Sequence, residues 1–460
     1  MSSLPGAALA QAAAEIDGGD PVAADLSLAR SLLGRRTATT RLAEQGIRIQ
    51  RCLWGGEPTD ASDPSLESEA PADCDESLRA HQLLGVGWTR LVRGERVQAT
   101  ADLEGAVALA RSAGCDRAVM AGLSALAMVA IAGDTLAAMD EHSRTALEFA
   151  GTHGLQGDPT AVTAHQVAAW VAHQRCDTDA ATVHVTAAEQ AAGSGTYPAV
   201  HTLTAGLKAV IALDRAERPY GSSITLHGVL REMDWSRMPD RATACALLIQ
   251  VQIALRVGEI AWARESLALA ENLIAETMET ELIRIILHLQ RGRLDTARDR
   301  VRLLLRGAVP ALTMRAPVDC VVLSATLAEA AGDHPAAHRG MAHALELAVQ
   351  DRLIRPFRDG GPVVAAVLAA GMGRFGHQDD FAGEVLAKLE GPDTPHTVLL
   401  TTRELELLAE LPSMRTTEEI AESLYVSVNT VKTHLRSIYR KMDVRSRREA
   451  VDTARTIGLL

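Results

Sequence analysis

Aromatic residues are scarce in this sequence, and their scarcity narrows the choice of fold class. Phe, Trp and Tyr together make up 3% of the 460 residues, whereas hydrophobic residues make up 47%. Alanine and leucine dominate, and both favour helices that pack closely through small side chains. A β-sandwich would require more Val, Ile, Tyr and Phe than this composition offers. The composition therefore predicts an all-α protein.

Signatures of catalysis and of metal binding are also missing. The six cysteines are scattered without a C-x-x-C pair, which indicates a reducing compartment and neither a disulfide framework nor a zinc site. The sequence has no G-x-x-x-x-G-K-[ST] loop to hold phosphates and no G-x-S-x-G motif. We predict no catalytic residue, no cofactor and no metal, and an enzyme is the weakest hypothesis.

Signals for a membrane or for export are absent as well. No uninterrupted apolar run reaches the roughly 18 residues of a membrane-spanning helix. The first residues, MSSLPGAALAQAAAEIDGGD, lack the basic start of a signal peptide and carry acids early. We expect a cytoplasmic protein that has no membrane partner.

The formal net charge of −12 is unevenly distributed along the chain. Residues 396–460 hold ten basic and nine acidic residues, so the remaining residues hold 36 basic and 49 acidic ones. Within residues 427–455, eight basic residues stand against three acidic ones. An acidic body with a basic patch near one end is typical of a protein whose end binds nucleic acid.

Residues 78–390 show helical periodicity that glycines interrupt at intervals. In five places an alanine follows the glycine by five positions, at the start of a new helix. The pairs are Gly94/Ala99, Gly133/Ala138, Gly258/Ala263, Gly292/Ala297 and Gly332/Ala337. A left-handed glycine would end one helix, an acid such as Asp134 or Asp333 would open the next, and the alanine would allow close packing. Units of about 34 to 40 residues with two helices each predict an α-solenoid of helix hairpins, of the tetratricopeptide (TPR) type.

Other parts of the body give weaker signals. Residues 1–77 are expected to form one or two helices followed by an acidic, flexible linker rich in Pro, Ser, Gly and Asp. The segment RCDTDAA, at residues 175–181, has the position of a further repeat junction but contains no glycine. About seven or eight helix pairs would fill residues 78–390.

The predicted solenoid contains two pairs of side chains that a binding site could use. Trp170 and Trp262 could stack on a ligand, although packing between helices is the more frequent role of such residues. His334 and His338 stand one helical turn apart, as two metal ligands can. No third ligand follows nearby and H-E-x-x-H is absent, so an exposed pair is the preferred interpretation.

The last 65 residues contain three start signals for helices. In each, a Ser or Thr is followed three positions later by Glu, which is the capping-box pattern. The pairs are Thr401/Glu404, Thr416/Glu419 and Ser446/Glu449. With Ser427 as a further cap, they predict helices over about 402–411, 417–424, 428–442 and 447–457. A three-residue connection between the second and the third predicts a helix-turn-helix.

The third of these helices is predicted to have two distinct faces. Its apolar stripe, at helical spacing, consists of Val431, Leu435, Ile438 and Met442. Its opposite face carries Asn429, Lys432, Thr433, Arg436 and Arg440. The stripe would dock the helix on its own domain, and the free cationic face has a width that fits the major groove of DNA.

The segment of residues 400–451 resembles the DNA-binding domain of LuxR-type transcriptional regulators. The resemblance rests on L-T-x-R-E at residues 400–404, E-I-A at 419–421 and S-x-x-T-V-K-x-H at 427–434. The connector LPSMRTT and the segment LIRPFRDGGPVVAAVL, at residues 353–368, are similar to the MalT-like large regulators, which carry a helical-repeat sensor ahead of this domain. Those proteins also have an N-terminal ATPase module with a P-loop, which is missing here, so we expect a regulator without that module.

The resemblance implies roles for individual residues. Those expected to read base edges are Lys432, Thr433 and Arg436. Those expected to hold DNA phosphates are Thr402, Arg403, Ser427, Asn429, Thr430, Arg440, Lys441, Arg445 and Arg447. His434 belongs to the motif and is expected to be structural. Family members dimerise through the fourth helix, where Ala450, Val451 and Ala454 form the apolar side; alternatively this side only closes the small core.

The sequence thus predicts three regions and one function. Residues 1–77 form the N-terminal segment, 78–390 the TPR-like sensor or interaction domain, and 396–460 the helix-turn-helix domain. We predict a sequence-specific transcriptional regulator that binds double-stranded DNA as a homodimer. Further expected partners are a small-molecule or protein ligand of the solenoid and RNA polymerase. The rival hypothesis is an interaction scaffold whose DNA-binding domain is inactive or is masked by the acidic body.

Overall fold

The computed structural model of the protein describes residues 76–131, 133, 135–192, 198–214, 219–233, 235, 240–390, 402–413, 415–424, 426–441 and 444–456, together with isolated positions between 7 and 44. Helices are the regular elements of these residues, and no strand occurs among them. The predicted all-α fold is therefore confirmed. Two compact units divide the chain, one formed by Met1–Leu207 and Asp234–Ala242, the other by Lys208–Met233 and Thr243–Leu460.

The first unit is built from helices joined by short connections. They are α1 (Glu76–Val92), α2 (Arg96–Ser112), α3 (Asp116–Ile131), α4 (Leu136–His153), α5 (Val162–Gln174), α6 (Thr178–Ala191) and the first part of α7 (Pro198–Asp214). From α1 to α6 each helix packs against the next, and α3 also packs against α1 and α5. This contact pattern, in which hairpins stack through alternate helices, is the one expected of helical repeats.

The second unit continues the same pattern. Its helices are α8 (Pro219–Glu232), most of α9 (Asp240–Arg256), α10 (Ile260–Leu273), α11 (Met278–Gln290), α12 (Leu294–Leu305), α13 (Arg315–Ala330), α14 (His334–Ala348), α15 (Arg355–Asp359), α16 (Pro362–Gly371) and α17 (Asp379–Glu390). Here α13 packs against both α11 and α15, and α14 packs against α16. None of the helices in the described residues is both long and apolar enough to cross a membrane.

The repeat junctions have the backbone conformation that the sequence pattern predicts. Gly94, Gly258, Gly292 and Gly332 have φ values of 78°, 81°, 69° and 76°. The alanine five positions after each of these glycines is fully buried. At the junction without glycine, Cys176 takes the left-handed conformation instead, with φ 52°, and its side chain is buried. A buried thiol therefore occupies a position that elsewhere requires glycine.

One junction differs from the predicted pattern by one residue. Asp134 lies outside the described residues, and the cap of α4 is Thr135, whose hydroxyl accepts a bond from the amide of Ala138 at 3.2 Å. Because α4 starts one residue later than its counterparts, Leu136 and Met139 face the core and Ala138 is only half-buried. The prediction that Ala138 is the packing alanine of this repeat is therefore wrong.

Helices approach closely where a glycine faces a neighbouring helix. A β-carbon on Gly87 in α1 would lie 2.6 Å from Leu103 Cγ in α2. No substituent fits at that distance, so this pair of helices depends on the absence of a side chain. Leu84, Leu103 and Met120 are fully buried around this contact and form part of the core of the first unit.

A buried ionic network joins helices of the second unit that are far apart in sequence. Arg355 donates to Asp214 at 2.5 Å and to Asp359 at 2.9 Å, although Asp214 precedes it by 141 residues. Arg315 also binds Asp359 and, at 2.8 Å, Asp319. Their side chains are at most 14% exposed. The network thereby fastens α7, α13 and α15 to one another.

The two tryptophans singled out in the sequence lie beside histidines of their own unit. The ring of Trp262 stacks on that of His227, with centroids 4.2 Å apart and planes inclined by 10°. Trp170 lies beside His173, with centroids 5.7 Å apart. Both tryptophans are half-buried, which agrees with the interpretation of packing within the fold.

The His334 and His338 pair is divided between two environments. His334 is exposed and bonds through Nδ1 to the carboxylate of Glu329 at 2.9 Å. His338 stacks on Phe375, with ring centroids 4.8 Å apart. In the part of the chain that the structure describes, no three His, Cys, Asp or Glu residues are grouped so that they could hold a metal ion.

Candidate nucleic-acid interface

Four short helices form a small domain with a core of its own. They are α18 (Thr402–Glu410), α19 (Thr417–Ser423), α20 (Val428–Lys441) and α21 (Arg447–Thr456), close to the predicted bounds. The third, α20, packs against the other three. The buried core consists of Leu407, Leu408, Leu411, Ile420, Ala421, Val431, Ile438, Ala450, Val451 and Ala454. Since all of these residues come from positions 407–454, the domain has an apolar core that it does not share.

Side-chain caps begin the helices of this domain. The hydroxyl of Thr416 accepts the amide of Glu419 at 3.2 Å, and the Glu419 carboxylate accepts the amide of Thr416 at 2.7 Å. This is the predicted capping box, and such caps stabilise a helix by about 1 kcal/mol. Before α21, the Ser446 hydroxyl accepts the amide of Glu449 at 3.2 Å. There the box is altered, because Glu449 reaches back to the amide of Arg445, at 2.8 Å, instead of that of Ser446.

These contacts also change the ionisation of Glu449. The amide of Arg445 and then the hydroxyl of Ser446 stabilise its carboxylate, so the pKa of Glu449 is lowered. The carboxylate thereby remains a charged cap at the positive end of α21. Thr401, the cap predicted for α18, lies outside the described residues.

The two faces of α20 are as predicted at the residues that the structure describes, which exclude Met442 and the side chain of Arg440. Val431 and Ile438 are 1% and 0% exposed, and Leu435 packs partly buried against the same core. The opposite face presents four exposed polar side chains: Asn429, Lys432, Thr433 and Arg436. Over its 14 residues α20 is about 21 Å long, and a helix of this size fits the major groove. The core thus fixes the side of the helix that remains free for a ligand.

The start of α20 is arranged to receive an anion. The hydroxyl of Ser427 accepts the amide of Thr430 at 3.1 Å, and the two hydroxyls share a bond at 2.7 Å. Ser427 and Asn429 are exposed beside the other amides of the first turn. A helix N-terminus with accessible amides and hydroxyls is a favourable position for a phosphate group.

Within the helix, Thr433 has its hydroxyl satisfied by the backbone. It donates to the carbonyl of Asn429 at 2.9 Å. What it offers a base is therefore a lone pair and a methyl group, and a methyl group suits contact with thymine. Lys432 and Arg436 stand one helical turn apart, so their cationic groups share one side of α20.

Several predicted phosphate contacts remain predictions. Thr402 and Arg403 begin α18, and Arg440 and Lys441 end α20, but their side chains lie outside the described part of the structure. Arg445 is exposed between α20 and α21.

Two family models match the chain. The description of one is "MalT-like TPR region", and it matches residues 72–373, which is more than half of the chain. The description of the other is "Bacterial regulatory proteins, luxR family", and it matches residues 398–454, the small domain described above. The chain belongs to the LuxR-type transcriptional regulators with a MalT-like repeat region. It is therefore a regulator with a DNA-binding helix-turn-helix domain.

Similar curated proteins are also named as transcriptional regulators. "Transcriptional regulatory protein LiaR" of Bacillus subtilis (strain 168) is 37% identical over 90 residues, which cover 19% of this chain and 43% of LiaR. "HTH-type transcriptional regulator MalT" of Yersinia pestis (strain Pestoides F) is 35% identical over 85 residues, covering 18% of this chain and 9% of MalT. The chain thus spans less than half the length of the relatives it matches.

In this regulator, the Arg447 side chain is engaged within its own domain. Its guanidinium donates to three backbone carbonyls, those of Leu411 at 3.0 Å, Ser413 at 2.6 Å and Arg415 at 2.8 Å. The three acceptors lie in the connection between α18 and α19. Its planar fork thereby fastens that connection to α21, and its predicted contact with a phosphate stays a prediction.

The apolar side of α21 is occupied inside the regulator's own domain. Ala450, Val451 and Ala454 are 0%, 9% and 0% exposed and belong to the core. Side chains so buried are not accessible to a partner subunit. The burial agrees with the alternative that this side closes the core, and the role of these three residues in dimerisation stays a prediction.

Sequence reasoning also passed over two exposed cations of the regulator. Arg415, directly before the cap of α19, is exposed and pairs with Glu410 at 2.8 Å. Arg448, in the first turn of α21, is exposed too. Neither belongs to the motif that carried the prediction. The charge excess of residues 427–455 included Arg448, but charge alone does not show which face an arginine occupies.

Proposed function

We propose that the regulator reads its operator as a dimer, with α20 of each subunit in the major groove. Lys432, Thr433 and Arg436 would face base edges, since they share the exposed side of α20. The observation that carries this proposal is that α20 has a buried apolar face and an exposed polar face on opposite sides. The burial of Val431 and Ile438 leaves the polar face accessible. Inverted half-sites one helical turn apart would match a two-fold symmetric pair.

Phosphate contacts would supply most of the affinity. Ser427, Asn429 and Thr430 would hold one phosphate at the start of α20. Arg440, Lys441 and Arg445 would hold others beyond its end, and Thr402 and Arg403 would contribute from α18. Such contacts fix the position of a helix in the groove and carry no sequence information themselves.

The repeat region would sense a ligand or a protein partner. What supports this is the match of residues 72–373 to a MalT-like TPR region, since helical repeats present extended surfaces for binding. Binding would then shift the regulator between states of different DNA affinity. The ligand would need a different affinity for each state, because otherwise it shifts no population.

Two substitutions on α20 test the assignment of base contacts. Arg436→Ala is expected to cost about 1–3 kcal/mol against the preferred base and to relax sequence preference at that position. Lys432→Ala is expected to weaken binding by a similar amount. Affinities for a duplex selected from a random library, and for single-base variants of it, measure both effects.

Arg415→Ala is the matched control, because Arg415 is an exposed arginine of the same domain outside α20. It is expected to leave sequence preference unchanged. If Arg436→Ala and Lys432→Ala alter neither affinity nor preference, the assignment of α20 as the reading helix is wrong.

A comparison of two chain lengths tests whether the repeats mask the domain. Residues 396–460 include the whole apolar core of positions 407–454, so this fragment keeps every core residue of the domain. Equal affinity of fragment and full chain would mean that no masking occurs. Binding by the fragment alone would favour the rival scaffold hypothesis, and the search would turn to the molecule that releases the domain.

A further inference from the structure

A concentration of positive charge within the acidic repeat region lies on α12, on the turn before it and on its C-terminal cap, Arg306. Residues 291–306 contain six arginines and two aspartates, a net charge of +4. Residues 1–395 as a whole contain 36 basic and 49 acidic residues. The positive charge of this surface is therefore an exception within an acidic body. Like charges at helical spacing also repel one another.

Three of these arginines form a row along α12 and its C-terminal cap. Arg298, Arg302 and Arg306 follow one another at four-residue intervals, so they lie along one side of the helix about 6 Å apart along its axis. Arg302 and Arg306 are exposed, and Arg298 is half-buried. We refer to these three residues as the cationic stripe.

The acidic neighbours of the stripe hold its arginines only weakly. Arg298 pairs with Asp295 at 3.4 Å and Arg302 with Asp299 at 3.0 Å. The two aspartates are 97% and 72% exposed. Ion pairs so open to water contribute little to stability, and another anion can take the place of either aspartate. Among the described residues, Arg306 forms no ion pair.

A second observation extends the positive surface to the turn before α12. The pKa of His288, near the end of α11, is lowered, first by burial and then by the charges of several arginines. Those in the turn are Arg293 and Arg291, and both are exposed. The turn before α12 thus adds two exposed cations, Arg291 and Arg293.

We propose that the cationic stripe contacts the phosphates of DNA beside the half-site that α20 reads. The inference rests on the proposed reading of DNA by α20, because that contact brings a duplex to the chain at a high effective concentration. A row of exposed guanidinium groups can then bind several phosphates of one backbone. The contact adds affinity and salt dependence without sequence preference.

A protein partner is the competing occupant, since α12 also exposes leucines. Leu294, Leu303 and Leu305 are 45%, 53% and 48% exposed. Leu303 and Leu305, two positions apart, lie on different sides of α12. Leu294 and Leu305 are separated by about 16 Å along the helix axis. They do not combine into the contiguous apolar patch that a protein partner would bury. The arginines do share one side, and this arrangement favours a phosphate backbone.

The test measures how the salt dependence of binding varies with duplex length. The full chain first selects a duplex from a random library, and this duplex is trimmed to its footprint or extended by about 20 base pairs, two helical turns, on each side. Affinities are measured across a salt series for the wild type and for the triple variant R298Q/R302Q/R306Q. Single variants Arg302→Gln and Arg339→Gln complete the set; Arg339 is an exposed arginine of α14, outside the stripe.

For the wild type, the slope of log affinity against log salt is expected to be steeper on the long duplex by about 0.9 per additional phosphate contact. The triple variant should lose this additional slope, Arg302→Gln about one third of it, and Arg339→Gln none. On the short duplex all four proteins should behave alike. The thermal midpoint of the triple variant should match that of the wild type, which shows that the fold is intact.

Equal slopes on both duplexes for the wild type, or an additional slope that persists in the triple variant, would overturn the inference. The surface would then be left to a protein partner. If the short duplex is still bound with sequence preference, the proposed reading by α20 survives. If the wild type selects no duplex at all, the proposed function and this inference fail together.

Discussion

The repeat region and the DNA-binding domain each contain an arginine that joins distant parts of the chain, but the two arginines use different partners. Arg355 is 7% exposed and meets two carboxylates, those of Asp214 and Asp359. Arg447 is half-buried and meets three backbone carbonyls. A fully buried charge requires an opposite charge, whereas a charge still near water is sufficiently satisfied by dipoles. Arg355 thus belongs to a network that connects repeats, whereas Arg447 braces a single connection between two helices.

Breaking the network in the repeats should have the largest effect. Arg355→Met keeps most of the volume but leaves the carboxylates of Asp214 and Asp359 without their cation, so we expect a loss of about 3–5 kcal/mol in the free energy of unfolding. Denaturant unfolding of the full chain measures this loss. Arg352→Met is the control, since Arg352 is 59% exposed and pairs with Glu384 at the surface. A loss of similar size in both variants would contradict the special role of the network.

Breaking the brace in the DNA-binding domain should have a smaller effect. Arg447→Lys keeps the charge but loses the fork that reaches three carbonyls, and we expect it to cost about 1–3 kcal/mol of the stability of that domain. DNA affinity should fall with the folded fraction, while the slope of log affinity against log salt stays that of the wild type. A reduced slope would support Arg447 as a phosphate contact. Arg445→Lys, at an exposed position, should leave stability unchanged.

Substitution of two glycines by alanine should compare a repeat junction with a helix interior. Gly332 has φ 76° at a junction, and Gly228 lies exposed within α8; a β-carbon would meet no atom within 4 Å at either position. Gly332→Ala should therefore cost about 1–2 kcal/mol through backbone strain alone. Gly228→Ala should instead stabilise the protein by about 0.5–1 kcal/mol, since alanine favours a helix interior. Thermal unfolding measures both, and changes of the same sign would contradict the assignment of Gly332.

The last expected effect concerns pH. In the first unit, Nδ1 of His165 lies 3.3 Å from Nδ1 of His184, and burial, followed by the charge of His184, lowers the pKa of His165 to about 4. The unfolded chain therefore binds a proton at higher pH than the folded one. The stability contribution of His165 is present above pH 6.5 and is lost as the pH falls towards 4. Unfolding midpoints at pH 7 and pH 5 should differ less in His165→Gln than in the wild type; an identical difference would exclude His165 as the cause.

Much of the DNA-binding domain could be predicted from the sequence because its determinants are local. The Thr416 and Glu419 box, the short turn that ends at Ser427 and the stripe of Val431 and Ile438 each depend on residues within one or two helical turns. The direction of Arg447 could not be predicted in this way. Its carbonyl partners lie 32 to 36 residues earlier, and a surface cation and a brace have the same residue type.

In the repeats, the left-handed glycines such as Gly94 and Gly332 could be predicted, and the exceptions could not. Cys176 adopts the same conformation only because burial of its thiol and the helices on either side hold it there. The one-residue offset at Thr135 depends on which of two successive residues caps α4. The pairing of Arg355 with Asp214 spans 141 residues and arises from the stacking of repeats, which no local pattern encodes.

The brace by Arg447 has a consequence for the order of events during synthesis. The connection between α18 and α19 emerges from the ribosome well before α21, and so does the whole of α20. Until Arg447 and the alanines of α21 have emerged, the connection lacks its three donors and the core lacks Ala450 and Ala454. The nascent chain therefore completes its repeats before it completes the helix-turn-helix domain, and we expect a product truncated before α21 to lack a folded DNA-binding domain.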